Sequence, residues 1–446
     1  MIGEQLKNPA SMDEIAALAK RRGFIFQSSE IYGGIGGFFD YGPLGAVLKR
    51  NVKDAWWREV VELRDDVVAF DSSIIMHPDT WVASGHVAAF HDKLVDCKNC
   101  KHRFRADHLK NLDKCPDCGM TGTLTEPRNF NLMMKTSVGP MEDSAAQTYL
   151  RPETAQGIFV NFKNIYQSSR KKPPFGIAQI GKSFRNEITP GNFTFRIREF
   201  EQAELEYFVP HDGSDMSVYE EWVAARKQWY ADYGIKPDRL RFYELKPEER
   251  PHYAVAGTDV EYLFPWGWGE LESIAHRGTY DLDAHIKLSG KDLTYFDEAT
   301  KQHYVPILIE SSAGVDRTTL TMLVDAYDKE TIVDEGGKES QRTVLRFHPK
   351  IAPIQVGVFP LARNKAELVE KAQVIERALR PHFRTMYDEG NVGQLYRRQD
   401  EIGTPFCLMV DYQTIADNTI TVRHRDSMQQ DRIAVASLAE YLAERL

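Results

Sequence analysis

The chain has 446 residues, more than one core usually supports, so two or three domains are expected. Apolar residues make up 42% and aromatics 11%, ample for those cores, and no run of roughly eighteen apolar residues occurs, so no membrane-spanning helix is expected. The net charge of −9 excludes a surface coated in positive charge for indiscriminate nucleic-acid binding, though not a local basic track.

In chain order, Met1 to Ala10 lacks an apolar run of signal-peptide type, which favours a cytosolic protein. Ser11 and Glu14 spell a capping box ahead of an apolar stripe at Ile15, Leu18 and Ala19. Gly33, Gly34, Gly36 and Gly37 predict a tight turn; no lysine and serine or threonine follow, so a phosphate loop is disfavoured. Leu44 to Val61 reads as a long helix with apolar residues at helical spacing, wide enough for a core or a second subunit. Val67 to Met76 reads as a strand ended by Pro78. Further on, helices are predicted over Val218 to Tyr230 and Thr318 to Tyr327, a strand over Lys301 to Glu310, and a surface loop at Asp334 to Lys338. From Ile351 onward a helix near Lys365 to Arg380, strands near Phe406 to Val410 and Thr419 to Arg423, and a final helix over Ser427 to Leu442 spell an α/β module.

Five cysteines, four of them between Cys97 and Cys118, do not suggest a disulfide scaffold. Cys97 and Cys100 form one two-residue knuckle, Cys115 and Cys118 another, and fourteen residues separate the pairs. That spacing lets four thiolates converge tetrahedrally on a structural Zn2+, with no position left open for catalysis. His91, His102 and His108 are weaker alternative ligands. Cys407 lies in an apolar strand and reads as a small buried hydrophobe.

The most informative stretch is Phe184-Arg185-Asn186-Glu187, then Pro190-Gly191-Asn192, then Arg196 to Glu204. Two strands joined by a turn do not carry so many charges in an apolar core. By period two, residues 196, 198, 200, 202, 204 and 206 share a face: Arg, Arg, Phe, Gln, Glu and Glu. That face suits a polyphosphate, a base and an amine. A salt-bridged sheet surface explains the same charges equally well.

These residues also carry a resemblance. Phe184 to Glu187 with Arg198-Glu199-Phe200 resembles the second signature motif of class II aminoacyl-tRNA synthetases. Arg151-Pro152-Glu153-Thr154-Ala155-Gln156 and Glu310-Ser311-Ser312-Ala313-Gly314 resemble the single-chain, homodimeric glycyl branch, over nearly the whole chain from about Ile25. The resemblance implies an α+β fold: an antiparallel sheet flanked by helices, a small zinc-binding insert and a C-terminal α/β anticodon-binding domain. It implies a catalytic domain over 1–344, with the insert at 95–126 and a connecting region at 209–265, and an anticodon-binding domain over 345–446. It further implies a cytoplasmic homodimer, no membrane partner, and ligation of glycine to the 3′ end of glycine tRNA through a glycyl-adenylate. The first class II motif would be the Leu44 to Val61 helix, the next strand and Pro78, at the dimer contact.

Site residues follow in the same way. Arg185 would hold the α-phosphate of ATP, a task suited to a planar guanidinium. Glu187 would contact the adenine amino group and Phe200 would stack on the ring. Asn186, Leu271 and Gly314 would line the nucleotide site, and Arg196 and Arg198 would add charge near the phosphates. Arg317 would lie near the γ-phosphate. Glu270 would carry the Mg2+ that accompanies ATP, with Glu272 a less secure ligand. Glu153, Glu204 and Glu310 would attract the ammonium of glycine, Ser312 would approach its α-carbon, and Arg277 would orient the pocket acids or the substrate carboxylate. Catalysis would be positioning and charge compensation at Arg185, Arg317 and Glu270, with no need for a base at His252, His276 or His285. Arg397, Arg423 and Arg425 would contact tRNA, against the plainer reading that they pair with Asp400, Glu401 and Asp426. Arg170-Lys171-Lys172 could touch RNA or simply be a wet loop. The rivals are a prolyl-, threonyl- or seryl-type enzyme, a non-catalytic tRNA-binding relative, and a zinc-ribbon nucleic-acid binder.

Overall fold

The computed structural model describes residues 11–140, 147–251, 253–333 and 337–446. The sequence readings at Met1 to Ala10, at His252 and at most of the Asp334 to Lys338 loop lie outside them.

The chain opens as its capping box dictates. The Ser11 hydroxyl accepts from the Glu14 amide at 3.3 Å, Glu14 accepts from the Ser11 amide at 3.1 Å, and the helix Met12–Arg22 closes on Gly23 at φ 75°. The helix Pro43–Trp57 begins with proline in its first turn and continues as a π-turn over Arg58–Glu62. Gly45 is obligatory: a Cβ there would stand 1.8 Å from the Phe24 carbonyl oxygen. The apolar stripe Leu44, Leu48, Val52, Trp56 and Val60 is buried in this chain's own core. It packs beside Trp229, whose indole N–H donates to the Ala55 carbonyl at 3.4 Å. Of the two readings of this stripe, a core or a second subunit, the chain's own core is what covers it.

Seven strands form the main sheet, in the spatial order Leu240–Glu244, Ala256–Phe264, Gly267–Gly278, Ile307–Gly314, Glu199–Val209, Phe175–Phe184 and Val67–Ala69. All neighbours are antiparallel except the last pair. The 209–265 segment, read as a helical connection with further strands, holds the helix Asp215–Asp232 and supplies two strands of this sheet. The strand predicted over Val67 to Met76 stops at Ala69. Beyond it side chains take over the backbone partners: the Ser72 amide donates to Gln179 Oε1 at 3.0 Å and the Ser72 carbonyl accepts from Arg151 at 2.8 Å. Likewise Lys301 to Glu310 divides into Gln302–Tyr304 and Ile307–Gly314.

A three-stranded sheet, with His91–Asp96 between Arg103–Arg105 and Arg128–Asn131, carries the cysteine insert. The C-terminal part has a five-stranded mixed sheet in the order Thr385–Tyr387, Val356–Pro360, Phe406–Val410, Thr419–His424 and Gln430–Ala434, with its own core between sheet and helices. The helix expected over Ser427 to Leu442 is only Leu438–Ala443, because Gln430–Ala434 pairs as an edge strand. Cys407 is buried in that sheet, as expected.

Asp400 fastens this part to the rest of the chain. Its two oxygens accept from Arg342 at 2.9 and 2.9 Å and from Arg423 at 2.9 and 3.2 Å, all out of solvent. Arg425 donates to the carbonyls of Phe347 at 2.8 Å and Gly403 at 2.9 Å and is paired with Asp426. Arg423 and Arg425 are only 6% and 4% exposed, so the structure does not bring them to a surface that RNA could reach. Period two aligned them correctly but could not tell an inward face from an outward one. Arg397 does lie exposed.

Removing Asp400 takes the carboxylate from buried Arg423 and leaves Arg342 with only the partly exposed Glu330 as a carboxylate partner. Asp400→Ala is expected to weaken docking of the C-terminal part by about 3–5 kcal/mol, read as a lowered urea midpoint and faster proteolysis near residue 345. An unchanged midpoint would show that the pairs contribute nothing net.

Candidate active site

Three adjacent strands floor one cavity. Alternate residues point into it: Phe200, Gln202 and Glu204 from one strand, Glu310, Ser312 and Gly314 from the next, and Ser273, Ala275 and Arg277 from the third. The intervening Ala203, Leu205, Tyr207, Ile309, Ala313 and Ile274 belong to the apolar core. Period two therefore holds for 200 to 206. It fails for Arg196 and Arg198, which precede the strand.

At the inner end the acids converge. Glu204 is 1% exposed and accepts from four donors: the Thr154 amide at 2.9 Å, the Thr154 hydroxyl, the Gln202 amide group at 2.8 Å and the Ser312 hydroxyl at 2.6 Å. These saturate its lone pairs. Burial and then Glu153 push its pKa up, against the bonds from Ser312 and Thr154. Arg277 is bidentate to Asp281 at 2.8 and 2.8 Å and gives its remaining nitrogen to Glu310 at 3.0 and 2.9 Å, while its guanidinium lies 4.1 Å from the Tyr253 ring. Glu310 is pushed up to about 7, first by burial and, despite Arg277, by Glu204 and Glu153. Glu153 accepts from Gln156 at 2.9 Å and faces His86 Nε2 at 3.3 Å. Burial opposes its ionisation, but His86 and Arg277 outweigh burial and hold it below the usual carboxylate range. Glu206 sits opposite Glu310 in register, fully buried, with both carboxyl oxygens lacking a partner among the described residues.

The outer end is aromatic and cationic. Arg185 Nε donates to the Pro152 carbonyl at 3.0 Å, and its guanidinium lies 5.3 Å from the Phe90 ring and 5.4 Å from Phe200. Glu187 Oε2 is buried without a partner among the described residues, and Glu187 borders the cavity. Arg317 donates to the Phe195 carbonyl at 3.1 Å and to Glu270 Oε1 at 3.2 Å, 4.5 Å from the Phe195 ring. Arg198 is not a free charge. It donates to the carbonyls of Glu187 at 3.1 and 2.9 Å and Gly36 at 2.8 Å, tying the glycine turn to this site. Arg196 points toward His108, 3.4 Å away.

Glu270 and Glu272 share parity yet part company. The register slips between Val260 and Glu261, which face Glu272 and Glu270, and Leu271 is the extra residue. Glu270 remains exposed at the cavity, whereas Glu272 is fully buried beneath the sheet, bonded to Arg226 at 2.7 Å, Ser311 at 2.6 Å and Tyr230 at 3.0 Å. It is no ligand for a cation in the cavity.

One buried network joins three segments of the site. Asp316, beside Arg317, accepts from Lys49 at 2.7 Å, from Tyr41 at 2.6 Å and from the Glu201 amide at 2.6 Å; Glu201 in turn pairs with Lys49 at 2.7 Å and Lys53 at 2.9 Å. Sequence reasoning missed this network, along with Asp281, Gln156, Tyr253 and His86. The network's partners lie more than a hundred residues apart, and Asp281, Gln156, Tyr253 and His86 are common residue types to which sequence reasoning gave no role. His276 and His285 bond to Asp215 and Gln156, each at 2.8 Å, as structural residues do.

The sulfurs of Cys97, Cys100, Cys115 and Cys118 lie within 4.8 Å of one another, with separations of 3.7 Å for Cys97–Cys118 and for Cys100–Cys115. Zinc–sulfur bonds of about 2.3 Å in a tetrahedron need sulfurs about 3.8 Å apart, so the donor set fits a closed metal site. His102 pairs with Asp117 instead, and His91 and His108 are not in the cluster.

Two family models match the chain. The tRNA synthetase class II core domain (G, H, P, S and T) covers residues 140–327, and the anticodon binding domain covers 355–445. Among curated proteins, the glycine–tRNA ligase of Thermobifida fusca is 51% identical over 98% of both chains. That of Treponema denticola is 54% identical over 95% of this chain and 94% of its own. That of Caldanaerobacter subterraneus subsp. tengcongensis is 51% identical over 98% of both.

Glu206 gives a pH-dependent expectation. Burial, then Glu310, raises its pKa well above the carboxylate range. The folded protein keeps a proton that the unfolded chain releases above about pH 4.3, so this contribution is intact below that pH and is lost as pH rises toward the folded pKa. Glu206→Gln mimics the protonated form. It should gain on the parent protein by up to about 1.4 kcal/mol per pH unit between pH 5 and 8 in chemical denaturation. A difference that stays flat from pH 5 to 8 would mean that Glu206 is ionised in the folded protein.

Proposed function

The chain belongs to the glycine–tRNA ligase family of class II aminoacyl-tRNA synthetases, and from that premise we propose how its side chains divide the work. The enzyme joins glycine to tRNA at the expense of ATP through an adenylate: a glycine carboxylate oxygen attacks the α-phosphorus, pyrophosphate leaves, and a ribose hydroxyl of the tRNA 3′ end then attacks the glycyl carbonyl as AMP departs.

The observation that carries the assignment is the single cavity with arginines and aromatics at one end and converging carboxylates at the other. Arg185, its outer nitrogens facing the cavity between two aromatic rings, takes the α-phosphate and the charge that grows there in the transition state. Arg317, propped on Phe195, takes the far phosphates. Phe200 and Glu187 receive the adenine, with Asn186, Leu271 and Gly314 completing the nucleotide side. Glu270 would hold Mg2+, which neutralises phosphate charge when bound. Arg196 adds a more distant positive charge, while Arg198 serves by shaping the turn.

Glu310 and Glu153 keep acceptor positions for the glycine ammonium. Glu204, already saturated, acts through its charge and by fixing the Ser312 hydroxyl against the α-carbon. Arg277, with all three nitrogens already bonded to Asp281 and Glu310, positions those acids rather than binding the substrate carboxylate. A β-methyl would meet Ser312, locked at 2.6 Å to Glu204, in a wall that cannot give way. The four cysteines hold a structural Zn2+, and Arg397 remains a tRNA contact for the anticodon-binding part, assigned to 345–446 behind a catalytic part over 1–344. The enzyme acts as a homodimer in the cytoplasm. Its contact surface runs past the exposed Leu63 and Ile75, which lie within the first class II motif but off its buried helix stripe, and past Val82 just beyond it.

Amino-acid-dependent exchange of labelled pyrophosphate into ATP tests the site. Glycine alone among twenty amino acids should support it. Arg185→Ala should lower exchange at least about 100-fold with the fold intact, whereas Glu310→Ala should raise the glycine KM more than the ATP KM. Normal exchange by both variants would overturn these roles. Purified protein should carry zinc at one ion per chain, and Cys100→Ser should lose it by elemental analysis; a Cys100→Ser protein that kept its zinc would refute the four-cysteine site.

A further inference from the structure

The cysteine insert grows out of a short segment that touches both halves of the cavity. Trp81 begins it and Phe90 ends it, one residue before the strand His91–Asp96 that leads to Cys97. Within it, His86 Nε2 faces Glu153 Oε2 at 3.3 Å, and both side chains are largely buried, 12% and 17% exposed. The other imidazole nitrogen meets the Ser84 hydroxyl at 2.8 Å, which fixes the ring's orientation. The ring is wedged edge-on to Trp81 at 5.5 Å and against Phe90 at 5.1 Å. Phe90 in turn lies 5.3 Å from the Arg185 guanidinium.

The backbone of this root is stitched to the site as well. Asn131 donates to the His86 and Val87 carbonyls at 3.3 and 3.1 Å, the Leu132 amide to the Phe90 carbonyl at 3.1 Å, and the Asn186 amide to the Leu132 carbonyl at 2.7 Å. The two strands of the root thus end directly on the residue that follows Arg185.

We propose that His86 and Phe90 are positioning residues for the two substrates, His86 setting Glu153 for the glycine ammonium and Phe90 setting Arg185 for the ATP phosphate. This rests on the assignment of Glu153 and Arg185 made above. The physical basis is specific to each arm. A carboxylate deep in the cavity swings unless a second donor fixes the oxygen that the substrate does not use, and a charge-assisted bond is the strongest fixture available. A guanidinium with only one backbone bond gains orientation from a ring face on which it rests.

The test reads apparent KM values for glycine and ATP separately in pyrophosphate exchange. His86→Phe keeps the aromatic wedge and removes the donor; it should raise the glycine KM about tenfold and leave the ATP KM within about twofold. His86→Gln, whose amide nitrogen replaces Nε2, should restore most of the loss. Phe90→Leu should do the reverse, raising the ATP KM about threefold to tenfold with the glycine KM unmoved. Should His86→Phe fail to fold, Ser84→Ala frees the ring without emptying the core and should raise the glycine KM about threefold alone. The inference is overturned if either substitution moves both constants equally, if His86→Gln does not rescue, or if Ser84→Ala leaves the glycine KM unchanged. Absence of glycine-dependent exchange in the unmodified enzyme would instead overturn the underlying site assignment, so the two failures are distinguishable.

Discussion

Everything at the inner end of the cavity follows from burying five carboxyl groups around one guanidinium. Glu153, Glu204, Glu206, Glu310 and Asp281 surround Arg277, and such a cluster cannot all ionise away from water. The chain resolves the conflict in three ways. Hydrogen bonds stabilise Glu204, pairing with Arg277 stabilises Asp281, and raised pKa values let Glu206 and Glu310 keep protons. What remains is a deficit of positive charge at Glu153 and Glu310, the deficit that we propose the glycine ammonium fills. Low dielectric strengthens that attraction, and the bonds that hold Glu204, Ser312 and Arg277 in place are the proposed basis for excluding a methyl group.

Rigidity extends outward through two other buried ion clusters. Lys49, Glu201 and Asp316 lock the long helix, the strand that carries Phe200 and the helix Val315–Ala326 that carries Arg317 into one body. Asp400 does the same between the hairpin arginine Arg342 and the C-terminal sheet. The first cluster reaches the cavity wall through Glu201 and Asp316 and the second lies away from it, yet both fix the distances between the places proposed for nucleotide, amino acid and tRNA. Positioning chemistry depends on such fixed distances more than on any reactive side chain.

Much of this was legible in the sequence, and the reason is local. Gln202, Glu204 and Glu206 at alternate positions announced a polar sheet face because period two is a property of the strand itself. Two cysteine knuckles announced their cluster because ligand spacing is short-range. What stayed hidden was set at a distance. Nothing near Arg423 marks its partner Asp400, and a basic residue on a strand reads the same whether it faces RNA or a buried carboxylate. The slip at Leu271 that separates Glu270 from Glu272 has no signature in composition. The Trp56 stripe showed that it would be covered, but not by what. His86 carries no motif at all and gains meaning only from the fold that brings it to Glu153.

Isothermal titration of glycine into the ATP-analogue complex at pH 7, repeated in buffers of different ionisation enthalpy, tests the electrostatic account most directly. A carboxyl pushed up to about 7, as Glu310 is, must give up its proton when an ammonium arrives. The account predicts release of a fraction of a proton, on the order of one half, per glycine bound. Binding with no proton exchange, or with proton uptake, would contradict it.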